Sequence, residues 1–147
     1  MGKRSTVSGY WRAHGDHRRT ATAAVVPVML AVTFDGAAAN TTGTGKFLPI
    51  GAIITQVDIV SGHTGGTTPA FDIGLLTATP DPDGIVDGAV STTTQQLVTG
   101  GLGALAGVAL TEAAEISAGD DGTGTAGTGN ITAYITYTFD DDGVAND

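Results

Sequence analysis

The chain has 147 residues, 41% of them hydrophobic, with 23 glycines, no cysteine and a formal net charge of −9. That length suits one domain with a single core, and the lack of cysteine excludes a disulfide framework, a thiolate metal site and a cysteine nucleophile. Only 14% of the residues are charged, and glycines scattered between short apolar runs point to strands joined by turns.

The charge is unevenly divided. Five of the six basic residues (Lys3, Arg4, Arg12, Arg18 and Arg19) precede Thr20, with Asp16 as the one acid among them. Beyond Thr20, Lys46 stands alone against fourteen Asp and Glu, so an arm of about +4 leads into a body of about −13. Such a body repels phosphate, and nucleic acid is not its expected partner.

Residues 1–22 show no hydrophobic period, and Gly9 and Gly15 interrupt any helix. The segment buries too little apolar surface to offset its ordering entropy, so it is expected to be an extended arm that orders on a partner. Its contact residues are expected to be Lys3, Arg4, Tyr10, Trp11, Arg12, His14, His17, Arg18 and Arg19. Tyr10 and Trp11 offer contact area at low entropic cost, and the arginines offer charge-assisted hydrogen bonds. His14, Asp16 and His17 are metal-ligand types. However, Arg18 and Arg19 would repel a zinc ion, and the arm supplies no fixed geometry. A polar run from Tyr10 to Arg19 stands where a signal peptide needs an apolar one, and no stretch approaches the roughly 20 apolar residues of a membrane span.

The body is expected over 23–139. Val25–Phe34 reads as a strand, with Pro27 near its start, where a missing backbone donor is tolerated. A Gly-rich loop from Gly36 to Gly45 precedes FLPIGAIITQVDIV, which alternates from Ile53. That pattern puts Ile53, Thr55, Val57 and Ile59 on one face and Ile54, Gln56, Asp58 and Val60 on the other. After a loop from Ser61 to Pro69, AFDIGLLT gathers Phe71, Ile73 and Leu75 on one face. A turn, ATPDPDG, leads to Ile85 and Val86. Thr92–Val98 is a weaker strand, and Val108–Ser117 is a strand or a short helix. Gly119–Gly129 is a flexible connection. NITAYITYTF closes the body, with Ile131, Ala133, Ile135, Tyr137 and Phe139 facing one way. Residues 140–147 form an acidic tail, expected to be mobile. Seven or eight short antiparallel strands with regular turns predict an all-β domain, a single sandwich or jelly roll with an extended N-terminal arm.

Chemistry-bearing motifs are few. Asp81, Asp83 and Asp87 around Gly84 place oxygen ligands at alternating positions, as in calcium loops, but Asp-Pro-Asp-Gly is also an ordinary turn. No cofactor is expected beyond that candidate calcium. GTGTAG at Gly122–Gly127 matches a dinucleotide fingerprint, yet a strand pattern follows it where a helix is needed, and Asp120 and Asp121 would repel a pyrophosphate. His63 is the only histidine of the body, no GxSxG elbow occurs, and no carboxylate pair stands out. An enzyme is not expected.

The succession FLPIGAIITQVDIV, AFDIGLLTATPDPDGIV and a Gly-rich approach to GNITAYITYTF resembles β-sandwich virion proteins of tailed bacteriophages, and among them the capsid decoration (cement) proteins. The resemblance spans residues 25–139 and lies in strands and turns. It implies a homotrimeric structural protein on the outer capsid surface, bound to the major capsid protein, with extended termini clamping adjacent subunits. It carries over no catalytic residue. The alternative is a tail or head-fibre β-sandwich recognising host glycans through Ser61–Pro69 or Gly119–Gly129, although neither loop has the aromatic platform that sugars favour.

Overall fold

The computed structural model describes residues 26–62, 70–90, 96–97, 102–124 and 127–139. The arm over 1–22, the tail over 140–147 and the His63–Pro69 stretch lie outside the described residues. Eight strands follow one another: β1 Val28–Asp35, β2 Gly43–Leu48, β3 Ala52–Ser61, β4 Ala70–Leu76, β5 Asp81–Val90, β6 Gln96–Leu97, β7 Ala114–Asp120 and β8 Asn130–Phe139. They form two four-stranded sheets, ordered β1-β8-β3-β6 and β2-β7-β4-β5, with antiparallel pairing throughout.

The order is nested. The first strand pairs with the last, β2 with β7, β3 with β6 and β4 with β5, and successive pairs alternate between the sheets. A long hairpin rolled up in this way is a jelly roll, the all-β architecture that the strand pattern predicts.

The core lies between the sheets. Val32 and Phe34 of β1, Ile131, Ala133 and Ile135 of β8, and Val57 and Ile59 of β3 meet Phe71, Ile73, Leu75, Ile85 and Ile116 from the opposite sheet. The Phe34 and Phe71 rings join the layers, with centroids 5.7 Å apart and tilted by 60°. Each fully buried large aliphatic side chain here contributes about 1.5–3 kcal/mol. The alternation of β8 and the Phe71, Ile73, Leu75 face are as the sequence predicts.

Three local expectations are corrected. In β3 the register shifts between Ile54 and Gln56, and this bulge moves the inward face by one residue. Ala52 and Ile54 are therefore buried together with Val57 and Ile59, whereas Thr55 is exposed and bonds the Thr136 carbonyl. Val108–Ser117 is neither a helix nor one strand: β7 begins at Ala114 and continues to Asp120, into the expected loop, because it is paired on both edges by β2 and β4. The turn before Ile85 is also shorter than expected, since β5 begins at Asp81. Between the pairs Ile73–Val86 and Leu75–Asp81, β5 uses three more residues than β4. That bulge crosses directly over Gly74, where a Cβ would lie 1.9 Å from the Asp81 carbonyl oxygen.

Residues 102–110 close one side of the roll. Gly103 and Leu105 donate to the Ile85 and Gly84 carbonyls of one sheet, and Gly107 and Leu110 donate to Ile54 and Ala52 of the other.

Candidate functional site: an apolar end and its acidic groove

The strand directions give the roll two distinct ends. At one, β1 begins, β8 finishes, β2 turns into β3 through Pro49–Gly51, and β4 turns into β5. Val26 (72% exposed), Ile50 (62%), Val108 (51%) and Phe139 (44%) crown this end together with Val28. Met29 and Phe47 lie just behind it on β1 and β2, and of the large apolar side chains exposed among the described residues only Val60 lies toward the opposite end. Phe139 keeps the inward parity of β8, but the strand has by then run past the sandwich. Its ring meets Tyr137 edge-on at 5.7 Å, and its outer side is open. Scattered apolar residues are ordinary on a surface; their gathering at one end is not.

A groove of about 250 Å³ opens at the same end, between the β4–β5 turn and the segment closing the side of the roll. Leu75, Leu105, Val108 and Leu110 supply its apolar lining, and Asp81 and Glu112 its carboxylates. Thr77 narrows the turn by donating its hydroxyl to the Thr79 carbonyl. Burial raises the Asp81 pKa above its ordinary 3.8, and the hydrogen bond and negative charge of neighbouring Asp83 raise it further. Asp81 is thus brought against Asp83, while Asp87 is exposed farther along β5. Among the described residues no three His, Cys, Asp or Glu side chains group so as to hold a metal ion.

The opposite end is organised by carboxylates. Asp72 is only 6% exposed. Its Oδ2 accepts from Asn40 Nδ2 at 2.7 Å, and its Oδ1 accepts from the Gly88 N–H at 2.9 Å. Burial raises its pKa above 3.8 against the lowering effect of those two bonds, and the charges of Asp121 and Asp83 add to the rise. Gly88 takes a φ of +63°, which presents its N–H to Asp72 at little cost because glycine has no Cβ. Asp35 accepts from the Ala37 N–H and Asp121 from Thr123, so these acids shape turns. The Asp72 fastening escaped sequence reading because an acid in FDIG looks like a solvent-facing strand position. Gly74 two residues on marks a different close approach, that of the Asp81 carbonyl and Pro82.

The arm residues Lys3, Arg4, Tyr10, Trp11, Arg12, His14, His17, Arg18 and Arg19 lie outside the described residues; the chain enters them from Val26, at the apolar end. No helix among the described residues is long and apolar enough to cross a membrane.

No family model matches the chain, and no curated protein matches it. Among solved structures it is similar to a chain of the "Cyanophage Pam1 capsid asymmetric unit", with 16% sequence identity over 79% of this chain and 86% of that chain, at a TM-score of 0.44.

Proposed function

We propose that this protein is a non-enzymatic structural component of a phage virion, a capsid decoration (cement) protein on the outer surface of the head. In this reading it binds the major capsid protein and stabilises capsomer contacts, with its N-terminal arm as the clamp. The observation that carries the reading is the apolar end. A face crowned by Val26, Val28, Ile50, Val108 and Phe139 suits burial against a partner, and the arm departs from that same face. Jelly rolls serve viral capsids, lectins and other proteins alike, so the fold alone does not choose among these roles. Homotrimers are the expected assembly, and repeated weak contacts on a lattice would add to one another through multivalency.

The test is co-sedimentation with phage heads stripped of accessory proteins, using the full chain and a version beginning at Ala21. Arm-dependent binding that saturates at a lattice-defined ratio is expected. Absence of binding by both forms would sink the decoration reading and turn attention to glycan recognition.

A further inference from the structure

The groove at the apolar end has an apolar lining, an acidic rim and, among the described residues, no nearby cation. Lys46 is the only Lys, Arg or His among the described residues, and it sits on β2, at the far edge of the sheet from β5 and Asp81. The rest of the chain's positive charge is in the arm, where Trp11 and Tyr10 stand beside Arg12. These two halves are complementary. An apolar space of about 150 Å³ accommodates a benzene ring, so 250 Å³ admits a larger aromatic side chain. A guanidinium beside that ring would meet Asp81 or Glu112 in a charge-assisted bond.

The reach is also sufficient. Val28 is separated from the 102–110 segment by β8 and β3, roughly 15 Å at ordinary strand spacing. The chain from Trp11 to Val26 can span about 50 Å when extended. A tether of this length keeps the arm at a high effective concentration around its own groove. We infer that the groove is a receptor for the Tyr10–Trp11–Arg12 segment of the chain's own arm, with the indole against Leu105, Val108 and Leu110 and the guanidinium on the acidic rim. A neighbour's arm could fit the same groove, but in dilute solution the tethered one is favoured. The inference concerns the isolated protein and does not rest on the capsid reading.

Trp11 is the only tryptophan of the chain, so its fluorescence reports on the arm directly. In the full-length protein, blue-shifted emission and weak acrylamide quenching are expected at all dilutions where the protein is monomeric. Val108→Arg, at an exposed position, should fill the groove, red-shift the emission and increase quenching several-fold. Glu112→Lys should loosen the arm through charge alone, and Arg12→Glu in that background should restore protection. Solvent-like emission in the unmodified protein would overturn the inference, as would protected emission that neither groove substitution changes. Protection that appears only where the protein self-associates would overturn the assignment to the chain's own arm. A protein that passes these tests yet ignores phage heads would keep its groove and lose its proposed function.

Discussion

The two ends of the roll have opposite chemistry. The end with Asp72 spends its polar groups inward. Its buried carboxylate ties the β1–β2 loop, through Asn40, to β5, through Gly88, and the Ala38 carbonyl accepts from the Asp120 N–H. The other end leaves Ile50, Val108 and Phe139 uncovered, and Asp81 crowded against Asp83. Among the described residues one end is fastened through Asp72, although Asp120 Oδ1 nearby is buried without a hydrogen-bond partner; the other presents apolar surface that a monomer gains nothing by exposing. The difference sets a fastened region against an uncovered one, and substitutions should tell the two apart.

The largest effect is expected at Gly119. A Cβ there would lie 2.2 Å from the Ala38 carbonyl oxygen, so Gly119→Val must lift the β1–β2 loop from its sheet. A loss of about 3 kcal/mol, read from urea unfolding, is expected from such overpacking. Next comes Asp72→Ala, which leaves the Asn40 amide and the Gly88 N–H without their acceptor and should cost about 2 kcal/mol. A cost near zero would mean that this end is not held by its carboxylate.

Acidification sharpens the contrast further. Asp72 and Asp81 both have folded-state pKa values raised above 3.8, chiefly by burial, so the folded state binds protons more readily than the unfolded chain. The proton-linked part of their contribution is therefore fully present below pH 3.8 and is lost as the pH rises through the raised values, while the Asn40 and Gly88 hydrogen bonds to Asp72 remain. The part due to Asp72 should disappear from the pH dependence of the unfolding midpoint in Asp72→Ala. The smallest effect on stability is expected at the apolar end. Ile50→Ser should change it by less than about 0.5 kcal/mol, as exposed substitutions do, and Phe139→Ser by about 1 kcal/mol, since it also loses the edge-on contact with Tyr137. Head co-sedimentation should nevertheless fall in the double variant, and unchanged binding would place the docking face elsewhere.

Much of this fold was legible in the sequence wherever one face of a strand is wet and the other dry. The β8 pattern from Ile131 to Ile135 follows from alternation alone, whereas the Phe71, Ile73, Leu75 face belongs to a strand buried on both sides and was read from its apolar parity. In β3, alternation failed because a bulge between Ile54 and Gln56 changes the inward face, and no residue there announces it. The start of β5 was hidden because Asp-Pro-Asp-Gly has turn chemistry, while its strand state is set by pairing with the adjacent β4 rather than by its own preferences. The groove was invisible for a related reason. Its lining comes from the end of β4, the β4–β5 turn, Asp81 of β5 and the irregular segment between Leu105 and Glu112, and no period links them.

The position of β8 also matters before the protein is finished. It lies between β1 and β3, and its Thr132 hydroxyl meets that of Thr33, 99 positions earlier, at 3.0 Å. While the ribosome is still making the second half of the chain, both neighbours of β8 must wait with open edges. Their sheet can close only when that late strand emerges and is inserted between them. Contacts this distant in sequence make for slow folding. During synthesis, the waiting Val28–Asp35 edge is the stretch most in need of protection from premature pairing with another nascent copy.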